Sequence, residues 1–579
     1  MPHLSLSASR RQFLFFSGMA AATAAIGPPT ASAEPRRQPN FVVILADDLG
    51  YGELGSYGQE LIRTPNLDRL AAEGVRFTQA YAGAPVCAPS RCTLLTGLHT
   101  GHSTVRQNPE NGPQGSLGEA DVTFGQALRN VGYRTAVIGK WGFGPEEAGD
   151  VSYPHQRGFD EFFGYVTHSH AHQYYPEHLW HDDRKVAIEE NAGGARQVFA
   201  PDLFADLAGD FVAHNRNRPF LLFYTPNLPH APQDVPTDEP YSDRPWPEGD
   251  RAHAAQITRL DGYVGRLLEA LRENGLDENT IVLFASDNGA HEEGRPPFDP
   301  QRFGGSGPLR GYKRNLYEGG IRTPLLAWSP KLLPETAGTV TDQLWAFWDL
   351  LPTLADFAGA AVPSDLDGIS LRETLTTGNA VAREQPLYFY RREPGVTPRA
   401  NAEDAGRLRN VAEALRRGDW KAVRFAPGRE HDVPDEQWDV ELYDLRDDVS
   451  ERDDLAGRHP DIAGELVAEM NKAWVDPYLR TPHGLRITSS GGEVSVTLHN
   501  GSADRYADAR LELSVSGGSA RRLDDGAPPD LAPGESASGR WVITGGAGEI
   551  TASALYTFRG QRHHERISQS DKRNGRPRS

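Results

Sequence analysis

Cysteine is almost absent from this 579-residue chain: Cys87 and Cys92 are its only two. One bridge across so short a loop would add little to a chain of this size. A disulfide scaffold is therefore excluded, and a special role for one thiol becomes worth testing. No apolar run reaches the roughly 20 residues that a spanning helix needs, and mean hydropathy is −0.55, so this is not a multi-span membrane protein. Positive charge is in deficit, 60 Lys and Arg against 79 Asp and Glu, for a net −19. Nonspecific nucleic-acid binding needs a basic footprint and is disfavoured. Glycine (60) and proline (43) stay below the share of about 25–30% that marks low-complexity chains. What remains is a globular chain, 38% hydrophobic, long enough for three or four structural units at roughly 150 residues each.

The two ends differ from the body. Residues 1–33 read as a twin-arginine signal peptide: Ser9-Arg10-Arg11-Gln12-Phe13-Leu14, an apolar stretch from Ser17 to Ile26, and the small-x-small close Ala31-Ser32-Ala33. That stretch is too short to anchor the chain stably in a membrane, and no cysteine near the cleavage point offers a lipid site. The expectation is a protein passed to the twin-arginine translocase and secreted or periplasmic. From 484 to 570, runs such as Val494-Ser495-Val496-Thr497-Leu498 alternate apolar and polar residues between Gly/Asp/Pro clusters. They predict an antiparallel β-sandwich, fitting a glycan-binding module and a rigid spacer equally well. A basic tail, 571–579, follows.

Between the ends, short apolar runs alternate with helical patterns, which predicts an α/β layer fold. Phe41–Ala46 reads as a strand buried on both faces and stops at Asp47-Asp48. Ile281–Ala285 stops at Ser286-Asp287-Asn288-Gly289, after a helical pattern from Ile257 to Leu271. Thr135–Ile138 precedes Gly139-Lys140, and Phe220–Tyr224 leads to Asn227-Leu228-Pro229-His230. Ligands in open α/β sheets sit outside the carboxyl ends of the strands. Three carboxylates and an amide oxygen delivered there suit Ca2+, or Mg2+ as the other hard cation, better than Zn2+.

The segment Pro85-Val86-Cys87-Ala88-Pro89-Ser90-Arg91-Cys92-Thr93 resembles the signature of the type I sulfatases, in the alkaline phosphatase superfamily. The resemblance runs from about Pro39 to about Leu455. It takes in Thr64-Pro65-Asn66-Leu67-Asp68-Arg69-Leu70, Gly139-Lys140-Trp141, Tyr317-Glu318-Gly319-Gly320-Ile321-Arg322-Thr323-Pro324 and Glu441-Leu442-Tyr443-Asp444-Leu445. It implies an alkaline-phosphatase-like fold: a mixed, mostly parallel sheet with helices on both faces in residues 38–380, then a smaller α+β subdomain, 381–480.

The resemblance also implies a chemistry. The cysteine of C-x-P-S-R, here Cys87, is converted after translation to formylglycine by a formylglycine-generating enzyme. One hydroxyl of the hydrated aldehyde attacks sulfur and expels the alcohol. Deprotonating the second eliminates sulfate and restores the aldehyde. In this scheme Asp47, Asp48, Asp287 and Asn288 hold the metal with position 87. Lys140 and Lys313 bind the sulfate, Arg91 stabilises the formylglycine, and His230 donates to the leaving oxygen.

One departure stands out. Many sulfatases carry a histidine two residues after the motif lysine, where this chain has Gly142. His170 or His172, in Thr167-His168-Ser169-His170-Ala171-His172, is expected to supply the missing imidazole or contact substrate. The rival readings are a His-rich surface loop and a second metal site. The expected substrate is a sulfate ester, an aryl sulfate or a sulfated glycan. A phosphoester or phosphonate monoester hydrolase, and a non-catalytic glycan-binding protein, are the alternatives. Specificity is expected in the loops 144–154, 178–199 and 292–305.

Overall fold

The computed structural model describes residues 38–109, 114–475 and, with short interruptions, 483–570. The proposed signal segment and basic tail lie outside the described residues. The chain divides into two units, 1–473 and 474–579.

The first unit is built on a ten-stranded sheet. In chain order its strands are β1 (Asn40–Ala46), β2 (Val75–Phe77), β3 (Arg134–Lys140), β4 (Glu161–Tyr165), β5 (His178–His181), β6 (Arg184–Ala187), β7 (Phe220–Thr225), β8 (Thr280–Ser286), β9 (Leu325–Trp328) and β10 (Thr339–Thr341). Across the sheet they run β10-β2-β9-β8-β1-β7-β3-β4-β5-β6. The centre, from β8 to β4, is parallel. Antiparallel β9 flanks it on one side, β5 and β6 on the other. This is the mixed, mostly parallel sheet the sequence leads one to expect.

β1 shows why its run is apolar at every position. Side chains alternate across a strand, so Phe41, Val43 and Leu45 enter one core and Val42, Ile44 and Ala46 the other. On the second side pack α1 (Pro65–Glu73), α3 (Ala200–His214) and α4 (Glu248–Glu273), through Leu67, Phe204, Phe211, Leu260 and Leu267. The first side is covered by α2 (Cys87–Thr96) and α5 (Leu350–Ala358), with Cys92, Leu95, Leu351 and Leu354. α4 begins nine residues before the apolar spacing at Ile257. Its first turns bury Ala252, His253, Ala254 and Gln256, which carry no hydrophobic period.

A smaller antiparallel sheet follows: β11 (Leu387–Arg391), β12 (Ala412–Arg417), β13 (Trp420–Phe425) and β14 (Asp439–Asp444), in that order. α6 (Pro460–Ala473) buries Ala463, Leu466 and Met470. β12 was not anticipated. Ala-Glu-Ala-Leu-Arg-Arg is rich in helix formers, but both its edges are paired, and pairing overrides propensity. The second unit holds two four-stranded antiparallel sheets, with a larger core that includes Val496, Leu498, Tyr506, Leu511, Trp541 and Tyr556 and a smaller one of Val494, Ile543 and Ile550.

Candidate active site

Because β8, β1, β7 and β3 are parallel neighbours, their carboxyl ends open on one edge. Asp47 and Asp48 follow β1, Asp287 and Asn288 follow β8, Lys140 closes β3, and His230 lies just beyond β7. Main-chain bonds lock these exits together: Asp287 N–H donates to Ala46 C=O at 3.1 Å and Asp47 N–H to Leu228 C=O at 3.0 Å. The Asp287 carboxylate accepts from Asp48 N–H at 3.1 Å, holding Asp48 at φ +71°.

The nucleophile candidate arrives by another route. Cys87 is the first residue of α2, all ten residues of which are buried. Residues four apart share a helix face, so C-x-P-S-R presents Cys87 and Arg91 together. Cys92, one residue further round, joins the hydrophobic core instead. Both cysteines are free. Pro89 falls in the first turn, where its missing N–H costs nothing. Ser90 Oγ accepts from Gly83 N–H at 3.1 Å and pins the entry to the helix.

At the sheet edge three cations meet three carboxylates. Arg91 donates to Asp287 Oδ2 through Nε (2.9 Å) and Nη2 (2.7 Å). Lys140 Nζ lies 2.7 Å from Asp47 Oδ2, and Lys313 Nζ 2.7 Å from Asp48 Oδ2. Asn288 Nδ2 donates to Asp48 Oδ1 at 2.8 Å, and the Cys87 thiol approaches the same oxygen at 4.0 Å. His230 Nδ1 lies 2.7 Å from the Ala231 carbonyl. A carbonyl only accepts, so that nitrogen carries the proton and Nε2 accepts from Lys313 at 3.2 Å.

Burial and charge pull these groups apart. Burial opposes ionisation of Asp48, yet Lys313, then His230, hold it down at about 2. Burial, then Asp47, pushes Asp287 up to about 7. The Cys87 thiol is raised well above its ordinary value by burial, and His230 is lowered by burial despite Asp48. Cys87 is thus a protonated thiol, a poor nucleophile as it stands.

The residues fit a hard divalent cation. Asp47, Asp48, Asp287 and Asn288 offer buried oxygens, the set that Ca2+ and Mg2+ take, and Asn288 Oδ1 is buried with no hydrogen-bond partner.

The family described as Sulfatase matches residues 39–360, and the C-terminal family of N-sulphoglucosamine sulphohydrolase matches 311–475. The chain belongs to the sulfatase family. Human arylsulfatase A is 35% identical over 425 residues, 68% of this chain and 76% of the relative. Human N-acetylgalactosamine-6-sulfatase is 32% identical over 387 residues, 62% and 70% of the two chains. Among solved structures, Ps i-CgsB in complex with k-i-k-neocarrahexaose aligns with a TM-score of 0.61 at 27% identity, covering 76% of this chain and 93% of that one. Such relatives make this chain a sulfuric ester hydrolase with an alkaline-phosphatase-like fold.

In this sulfatase the histidine segment divides. His172 stacks on His230, ring centroids 4.6 Å apart and 19° between planes. His170 packs instead against Tyr165 and His178. His168, which sequence reasoning passed over, meets His172 at 4.5 Å and His230 at 5.8 Å. The turn explains the division: Ala171 N–H bonds to Thr167 C=O, so residues 168 and 172 share a side and 170 turns away. His291 was also missed. Its ring lies parallel to that of His230 at 6.2 Å, and its only signal was its place five residues beyond β8. Glu293, 3.2 Å from Lys313 Nζ, had none.

Gly142 has a steric explanation. Its φ is +97°, and an added Cβ would stand 3.1 Å from Arg91 Cδ. Restoring the histidine common elsewhere in the family, Gly142→His, is expected to cost about 1–3 kcal/mol in backbone strain and to disturb Arg91 without raising turnover. Denaturation midpoints and kcat of the variant check this.

Proposed function

We propose that this sulfatase is an exported, Ca2+-dependent enzyme whose nucleophile is a formylglycine made from Cys87 and whose substrate is a sulfated sugar or aryl sulfate. The observation that carries this reading is the setting of Cys87. It is fully buried at the start of α2, and its thiol, Asp47, Asp48 and His230 bring ligand atoms within 4.8 Å of one another.

Asp47, Asp48, Asp287 and Asn288 would hold the cation, which would supply positive charge to lower the pKa of an oxygen nucleophile and neutralise sulfuryl oxygens. Lys140 and Lys313 present ammonium groups toward the same ground and can pass from carboxylate to sulfate oxygens as substrate enters. Arg91, tied to Asp287 and to the Lys140 carbonyl, keeps the position-87 end of the site rigid. His230 holds its proton on Nδ1, so donation from Nε2 to a leaving oxygen requires a second proton. Lys313, in contact with that nitrogen, is the standing donor. His168 and His172 border His230 and suit contacts to the alcohol half of the ester.

A sugar substrate is favoured by the names of two relatives, N-acetylgalactosamine-6-sulfatase and the neocarrahexaose-bound Ps i-CgsB. Among the described residues, no helix is long and apolar enough to cross a membrane. Twin-arginine export carries folded protein, so conversion of Cys87 and assembly of the site belong before translocation. The test is the mass of the tryptic peptide Phe77–Arg91 from the native host. An aldehyde at position 87 is expected. An intact thiol would remove the nucleophile and the proposal with it.

A further inference from the structure

A second group of metal-ligating side chains stands apart from the sheet-edge site. Residues 166–177 connect β4 to β5; His170 lies on the turn His170–His172 within that connection, and His178 opens β5. Their rings are 4.5 Å apart between centroids. Glu146, from the irregular segment after β3, brings Oε1 to 3.5 Å from His170 Nδ1. One ligand atom from each of Glu146, His170 and His178 lies within 4.8 Å of the other two. A tetrahedral ion with bonds of about 2.0–2.1 Å spaces its ligands about 3.4 Å apart, so modest side-chain movement closes the set.

The polar bookkeeping also points to a ligand. The His170 side chain is 6% exposed, and neither ring nitrogen has a partner in good hydrogen-bond geometry; its polar neighbours are Glu146, with Oε1 3.5 Å from Nδ1, and the main chain of His178. His178 Nε2 is likewise buried without a partner. Buried polar atoms left unpaired cost about 1–3 kcal/mol each. Thr167 Oγ1 donates to Glu146 Oε1 at 3.0 Å, the kind of outer bond that orients a ligating carboxylate. Lys185 Nζ faces the other oxygen, Oε2, at 3.6 Å, leaving Oε1 to the cluster.

We propose that Glu146, His170 and His178 form a second metal site, a two-imidazole, one-carboxylate set for Zn2+, which fastens the connection carrying His168 and His172 beside His230. Imidazole ligands select Zn2+ over Ca2+, and three protein ligands leave one position for water. The site is independent of the chemistry at Cys87.

The test uses the untagged full chain, stripped by chelator, returned to excess Ca2+ and titrated with Zn2+ by calorimetry and elemental analysis. One tight equivalent of Zn2+ and a raised Tm are expected. Glu146→Gln and His178→Gln, both at half-buried positions that tolerate change, should weaken binding by more than about tenfold, the lower range seen even for outer-shell losses. His172→Gln should leave it unchanged. Three results would overturn the proposal: no Zn2+ uptake beside Ca2+, uptake indifferent to Glu146→Gln and His178→Gln, or uptake lost with His172→Gln. The last would move the ion to His168, His172 and His230.

Discussion

Serine in place of Cys87 is expected to leave the protein folded and end its turnover of sulfate esters. Oxygen is smaller than sulfur, and α2 is buried along its whole length, so the helix and its Arg91 contacts survive the exchange. The chemistry does not. A hydrated aldehyde offers one hydroxyl to accept the sulfuryl group and a second whose deprotonation expels sulfate, whereas serine has only the first. Loss of a nucleophile acting in concert with its neighbours lowers kcat by about 10^4–10^6. The informative readout is stoichiometry: no more than one ester cleaved per protein, with sulfate retained on the Phe77–Arg91 peptide. Repeated release of sulfate by Cys87→Ser would mean that position 87 is not the nucleophile.

The second large effect lies away from the chemistry. Lys421, on β13, puts Nζ 2.9 Å from Glu318 Oε1 and 2.8 Å from Glu451 Oε1, and none of the three side chains is more than 1% exposed. Glu318 also accepts from Tyr81 Oη at 2.6 Å, and Glu451 from the Glu318 N–H at 2.6 Å. The lysine joins the small sheet to the segment that follows Lys313. Lys421→Met strands Glu451 without a cation in the interior and leaves Glu318 only its Arg322 partner at 3.3 Å, which costs about 3–5 kcal/mol.

The sign of its pH dependence follows from the two acids. Burial is the chief cause that raises Glu451 from 4.5 to about 7. Its contribution to stability is therefore present below 4.5 and lost as pH rises through 7. Glu318 goes the other way. Burial opposes ionisation, but Lys421 and Arg322 hold it at about 2, so its contribution is present above 4.5 and lost only as pH falls toward 2. Between 4.5 and 7 Glu451 governs, and removing its lysine raises it further. The deficit of Lys421→Met should be full at pH 8 and smaller at pH 5.5, measured as the denaturant midpoint of the first unit. A deficit that grows on acidification would contradict this.

The ingredients of the site were legible because each sits at a punctuation mark. An apolar run that stops at Asp47-Asp48, and another that stops at Asp287-Asn288, announce a sheet edge before any coordinates exist. The spacing of Cys87 and Arg91 is a helix repeat, readable wherever the helix begins. β12 was not legible, since its residues favour a helix and only its two neighbours make it a strand. His168 and His170 could not be told apart in sequence. Alternate residues look equivalent until one turn commits 168 and 172 to His230 and sends 170 toward His178 and Glu146.

Local pattern by itself determined that this chain has an α/β body with acids, an amide, a lysine and a histidine at its strand ends, a sandwich-like C-terminal region, and one cysteine in a sulfatase motif. Those features depend on neighbours within a few residues, where periodicity and turn chemistry act. Only the tertiary structure decided which lysine meets which aspartate, why residue 142 is glycine, and which histidines face the site. Those are contacts between residues tens to hundreds of positions apart, such as Lys313 with Asp48, and they exist only once the parallel sheet has brought the strand ends together.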